Sequence, residues 1–117
     1  MNEFLDGFKE TLGQATPRLF KLSDEESGIA KTSDKWSAKQ IIGHLVDSAA
    51  NNHQRFVRAQ FSDDLVFPGY DQEEWVRVQR YERSDWVALV NLWNSYNHHI
   101  IHLVYQIPES ILLKNRS

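Results

Sequence analysis

Apolar residues recur at three- and four-residue spacing through most of the chain, the period of amphipathic helices rather than of strands. Phe4, Leu5, Phe8, Leu12 and Ala15 make the first such stripe, continued by Leu19 and Leu22. Gly7 and Gly13 weaken it, by about 1 kcal/mol each relative to alanine where exposed. Thr16-Pro17 reads as a restart, because threonine caps helices and proline suits the first helical position. The pattern predicts a helix over about 2–14 and a short continuation over about 17–22. Residues 23–35, opening with Ser23-Asp24-Glu25-Glu26-Ser27-Gly28, are polar and read as loop.

The strongest local signal is Trp36-Ser37-Ala38-Lys39-Gln40-Ile41. Ser37 can cap a helix, Gln40 three residues on completes a capping box, and Trp36 can staple onto Ile41. From there Ile42, Leu45, Val46, Ala49, Phe56 and Val57 form one apolar arc as far as about Phe61, with His53 inside it. His44, Asp47, Ser48, Asn51 and Arg55 form a polar stripe on the other side. Phe67-Pro68-Gly69-Tyr70 predicts a turn, and Asp71 with Glu74 a second capping box opening a short helix that ends near Tyr81. Ser84 can cap a last long helix whose stripe runs Trp86, Leu89, Val90, Trp93, Asn97, Ile100, Val104 and Ile107, until Pro108 stops it. Trp86 and Trp93 are core residues by this spacing, and Tyr70 and Trp75 anchor the connector. The fold class is therefore all-α: one domain over 1–117, an up-down bundle of three long helices with short connectors and no fourth long helix.

Composition narrows the chemistry. The 117 residues carry a formal charge of −3 and no cysteine. Basic footprints for nucleic acid, disulfides, thiolate nucleophiles and cysteine metal sites are thereby excluded. The N-terminus has no secretory pattern, and no apolar run approaches the roughly 18 residues of a membrane span. A cytoplasmic protein with no membrane or nucleic-acid partner is expected. Phosphate-binding glycine loops, nucleophile elbows and His-Glu-x-x-His are all lacking, and no organic cofactor is expected. Asp24-Glu25-Glu26 and Asp63-Asp64 read as solvated loop charge.

Trp36-Ser-Ala-Lys-Gln-Ile-Ile-Gly-His44-Leu-Val-Asp47 resembles the start of the second helix in the DinB-like (DinB/YfiT) four-helix-bundle superfamily, where Trp-Ser precedes His-Leu-x-Asp. Thr16-Pro17, Asn52-His53-x-Arg55-Phe56, Gly69-Tyr70-Asp71 with Trp75-Val76, and Leu92-Trp93-x-x-Tyr96-Asn97 support the match over essentially the whole chain. The resemblance implies a bundle that is often dimeric, with a divalent metal, nickel, zinc or similar, held by three histidines. Bacillithiol S-transferases and mycothiol-dependent maleylpyruvate isomerases are characterised relatives. His44 matches the first ligand. The other two come from a His-x-x-x-His on a final helix that these residues do not contain, so the chain is expected to be a C-terminally shortened member.

Read residue by residue, His44 is the expected metal ligand, with Asp47, Ser48, Asn51 and Arg55 lining a pocket or supporting the ligand. His98 and His102 are four apart and could share an ion, but the helical wheel puts them about 140° and 180° from Trp93, on an outer solvated face. His53 reads as a core histidine satisfied by a hydrogen bond, and His99 as a half-buried packing residue. Two functions stand side by side. One is a metal-dependent thiol S-transferase or hydrolase-like enzyme acting on a small thiol or other small molecule. The other is a metal-free helical bundle whose role is association, most simply as a homodimer.

Overall fold

The structure is a computed structural model and describes residues 2–62, 69–108 and 110. Among these, three long helices dominate: α1 (Asn2–Phe20), α3 (Ala38–Arg58) and α5 (Trp86–Gln106). Two short ones, α2 (Asp24–Ser27) and α4 (Gln72–Gln79), and a 3₁₀ turn (Tyr81–Arg83) complete the described elements, and none is a strand. The expected turn at Phe67-Pro68 and most of the tail beyond Pro108 lie outside the described residues.

The helix ends follow capping chemistry. Ser37 accepts from the Gln40 amide while the Gln40 side chain accepts from the Ser37 amide, the reciprocal box expected for α3. The same arrangement at Ser23 and Glu26 makes α2, a helix inside what reads as polar loop. Asp71 accepts from Glu74 N–H, but the Glu74 carboxylate pairs with Arg77 instead of returning to the cap. Asp85, not Ser84, caps α5, accepting from Ala88 N–H at 2.9 Å. Ser84 instead ends the 3₁₀ turn.

The expected break at Pro17 does not occur: α1 runs through it. Packing on both sides of the proline outweighs the lost backbone hydrogen bond. Leu5 and Leu12 are buried in one core cluster and Leu19 packs on the other, so a bend would strip apolar surface from one of them.

Helix α5 lies at the centre, packed against both α1 and α3, which make no comparable contact with each other. One cluster joins Leu5, Leu12, Ala49, Ile100, Ile101, Val104 and Ile107. The other joins Ile42, Val46, Val76, Tyr81, Trp86, Leu89 and Val90. Between α1 and α3, floored by α5, runs an apolar groove of about 510 Å³ lined by residues such as Phe8, Leu45, Phe56, Trp93 and Ile101. The three long helices thus leave an open apolar face between α1 and α3 among the described residues. No helix among the described residues is long and apolar enough to cross a membrane.

Candidate functional site

The site begins with a helix that carries a glycine in mid-span. Gly43 costs α3 about 1 kcal/mol in propensity, and the fold shows what the residue is for. A Cβ built there would stand 2.2 Å from Tyr81 Cδ2 and 2.3 Å from Cγ, so the tyrosine ring rests directly on the α3 backbone. The chain reaches that seat because Arg80, in the left-handed conformation (φ 54°), turns it sharply after α4.

One turn beyond Gly43 lies Asp47. Residues of α4 and the 3₁₀ turn cover this carboxylate, leaving it 3% exposed. Its Oδ1 accepts from Tyr81 Oη at 2.6 Å and from Gln79 Nε2 at 2.9 Å. Burial first, and then the neighbouring Asp47 carboxylate, push the Tyr81 phenol well above its ordinary pKa, so it stays a proton donor. Asp47 Oδ2 is buried too and has no partner.

His44 sits three residues before Asp47. Its ring is half-buried with the Trp36 indole 5.3 Å away, and its Nδ1 is shut from solvent with no hydrogen-bond partner. Nε2 is therefore the nitrogen left to meet a solvent-borne ligand. Buried polar atoms without partners are rare and costly, and two of them stand here one helical turn apart.

The rest of the stripe divides. Ser48 Oγ lies 3.0 Å from Tyr70 Oη, which ties the connector to α3, while the exposed Trp75 stands edge-on to the Tyr70 ring at 5.0 Å. Asn51 donates to the Asp47 backbone carbonyl and is spent within its own helix. Arg55 is exposed. Gln79, Tyr81 and Gly43 are the residues of this candidate site that the pattern misses. Only the mid-helix glycine hints at them.

The other histidines form a separate group. His53 is half-buried with Nδ1 2.8 Å from Tyr96 Oη, as expected of a satisfied histidine. His99, expected half-buried, is exposed, its ring edge-on to that of His53 at 5.4 Å. His98 is half-buried and His102 exposed, so the two do not share one solvated face; the His102 ring neighbours His99 at 6.1 Å instead. Among the described residues no three histidine, aspartate or glutamate side chains are placed to hold a metal ion.

Asp24 also departs from expectation. Rather than loop charge, its Oδ1 accepts from the Trp86 amide at 2.9 Å and pairs with Lys39 Nζ at 3.0 Å. The Trp86 N–H first, then Lys39, hold this carboxyl below the usual aspartate range. Lys39 itself is buried, so Asp24 neutralises a cation under the end of α5.

No family model matches the chain. A protein of Oceanobacillus iheyensis named "putative metal-dependent hydrolase" is 28% identical over 112 residues, 96% of this chain and 64% of that one. A second from the same organism and one from Halalkalibacterium halodurans, with the same name, are 33% and 32% identical over 70 residues, each match covering 41% of the relative. The chain thus spans less than two thirds of the length of these relatives. Its fold matches YfiT from Bacillus subtilis, described as a "probable metal-dependent hydrolase with an unusual four-helix bundle topology", with a TM-score of 0.75 at 17% identity over 95% of this chain and 66% of that one. Nearly the whole chain is thus similar in sequence to a protein named a putative metal-dependent hydrolase, and its helices are arranged as in the four-helix bundle of YfiT.

Proposed function

We propose that the chain is a metal-dependent member of the DinB/YfiT superfamily in which His44 supplies one imidazole ligand, through Nε2, to a nickel, zinc or similar divalent ion. The observation that carries the reading is the half-buried His44 ring, its Nδ1 shut from solvent without a partner and a buried carboxylate three residues on. That donor pair fits one corner of a metal centre and does not complete one. Completing the centre takes donors beyond those that the described residues bring together. Divalent cations in such settings lower the pKa of a thiol or of water, which suits thiol S-transfer or hydrolysis on a small-molecule substrate.

The test is metal analysis with a nickel or zinc titration of the purified native-length protein. Stoichiometric binding that is lost in His44→Ala and kept in His102→Ala supports the reading. Binding that is absent, or indifferent to His44, ends it.

The open groove favours a second reading, association as a homodimer through the α1–α3 face. Its apolar lining is the kind of surface that soluble chains cover. Sedimentation equilibrium should then show a dimer that Phe8→Glu dissociates. A monomer at all accessible concentrations would contradict it.

A further inference from the structure

We infer that Asp47, pinned by Tyr81 and Gln79, fixes the tautomer of His44 through one bridging water, holding the proton on Nδ1 and leaving the Nε2 lone pair free. This rests on the proposed ligand role of Nε2 for its purpose, but not for its test. Asp47 is a positioning residue here.

Geometry and charge both argue for it. Residues three apart on a helix have Cβ atoms about 5–6 Å apart on one face, and no direct hydrogen bond joins these two side chains. Asp47 Oδ1 is already taken by two donors, which fixes the carboxylate plane and leaves Oδ2 as its one open acceptor. His44 Nδ1 is the other buried atom in need. A single water between them would satisfy both. Such a water can accept from an Nδ1–H or donate to a bare Nδ1. The carboxylate charge selects the former, because it turns the positive end of the ring dipole toward the anion. A histidine free in water favours the opposite tautomer, with the proton on Nε2, so the inference predicts a reversal. The glycine at 43 is part of the device, since only its missing Cβ lets the Tyr81 ring lie where its hydroxyl reaches Asp47.

Long-range nitrogen–proton correlation NMR on the metal-free, isotope-labelled protein at pH 8 tests this. Exposed His102 serves as the internal standard for an unconstrained ring. His44 should show a protonated Nδ1 and a bare Nε2, the reverse of His102, and Asp47→Asn should move His44 toward the His102 pattern. Tyr81→Phe, which leaves the carboxylate in place and removes one of its anchors, should move it part of the way and serves if Asp47→Asn does not fold. In the metal titration, Asp47→Asn should weaken binding by about 10–100-fold, the usual cost of losing a ligand's hydrogen-bonding partner. A His44 ring that matches His102, or one unchanged by both substitutions, overturns the inference. Metal binding that still depends on His44 would then leave the ligand role standing. A reversed tautomer without metal binding would overturn that role alone.

Discussion

Replacing Gly43 by alanine sets two well-known effects against each other. In an exposed helix interior the change gains about 0.5–1 kcal/mol, because alanine loses less backbone entropy. At this position the new methyl would meet three atoms of the Tyr81 ring at 2.2, 2.3 and 2.5 Å. Ordinary carbon contacts are about 3.5–4.0 Å, so the ring must withdraw by about 1.5 Å. It cannot do so freely, since it is buried among Ile42, Val46 and Val76. Overpacking of this kind costs about 1–3 kcal/mol, and moving the hydroxyl off the Asp47 carboxylate forfeits a hydrogen bond worth about 1.5–3 kcal/mol. The clash outweighs the propensity gain, and Gly43→Ala should destabilise the protein by about 3 kcal/mol. Urea unfolding followed by circular dichroism measures it. The same substitution in a Tyr81→Ala background, where the ring is gone, should be neutral or stabilising by up to about 1 kcal/mol. A double-mutant cycle with no coupling, or a stabilised single variant, would refute the seating of Tyr81 on α3.

Asp24→Asn should lower stability at neutral pH, because it leaves the buried Lys39 ammonium without its counter-charge; adding Lys39→Met should recover much of the loss in the same urea assay. The depressed Asp24 carboxyl stabilises the fold fully above the ordinary aspartate range, near pH 4, and less as pH falls through its lower folded value. Wild type should therefore lose more stability than Asp24→Asn between pH 6 and pH 2. For Tyr81 the sign is opposite: its contribution is complete below about pH 10, where the unfolded phenol begins to ionise, and is lost as pH rises through the higher folded value. Alkaline unfolding should be shallower in Tyr81→Phe, and ultraviolet titration of the folded protein should lose its last-ionising tyrosine.

What the sequence discloses here is local, and what it conceals is long-range. The cap at Ser37, the cap at Asp71 and the stripe of α5 can be read from neighbours within four residues, and the structure has all three. The run through Pro17 cannot, because it depends on Leu12 and Leu19 meeting two separate clusters. Asp47 illustrates the same limit at the site. Its place on a polar stripe is visible in the sequence, whereas its burial comes from a tyrosine and a glutamine more than thirty residues away. Asp24 likewise meets Trp86 across 62 positions and so looks like loop charge until the fold is known. Capping serine and glutamate at 23 and 26 were a readable signal for α2, outweighed in the sequence by the polarity around them.

The central claim is that one imidazole at the head of α3 meets a divalent ion. Adding cobalt(II) to the native-length protein and recording proton spectra tests it most directly, since a paramagnetic ion displaces the resonances of the rings that bind it. The account predicts that the His44 ring protons move first and farthest, and that the shifts vanish in His44→Ala while the fold persists. Displacement confined to His99 and His102, or none at all, would contradict it.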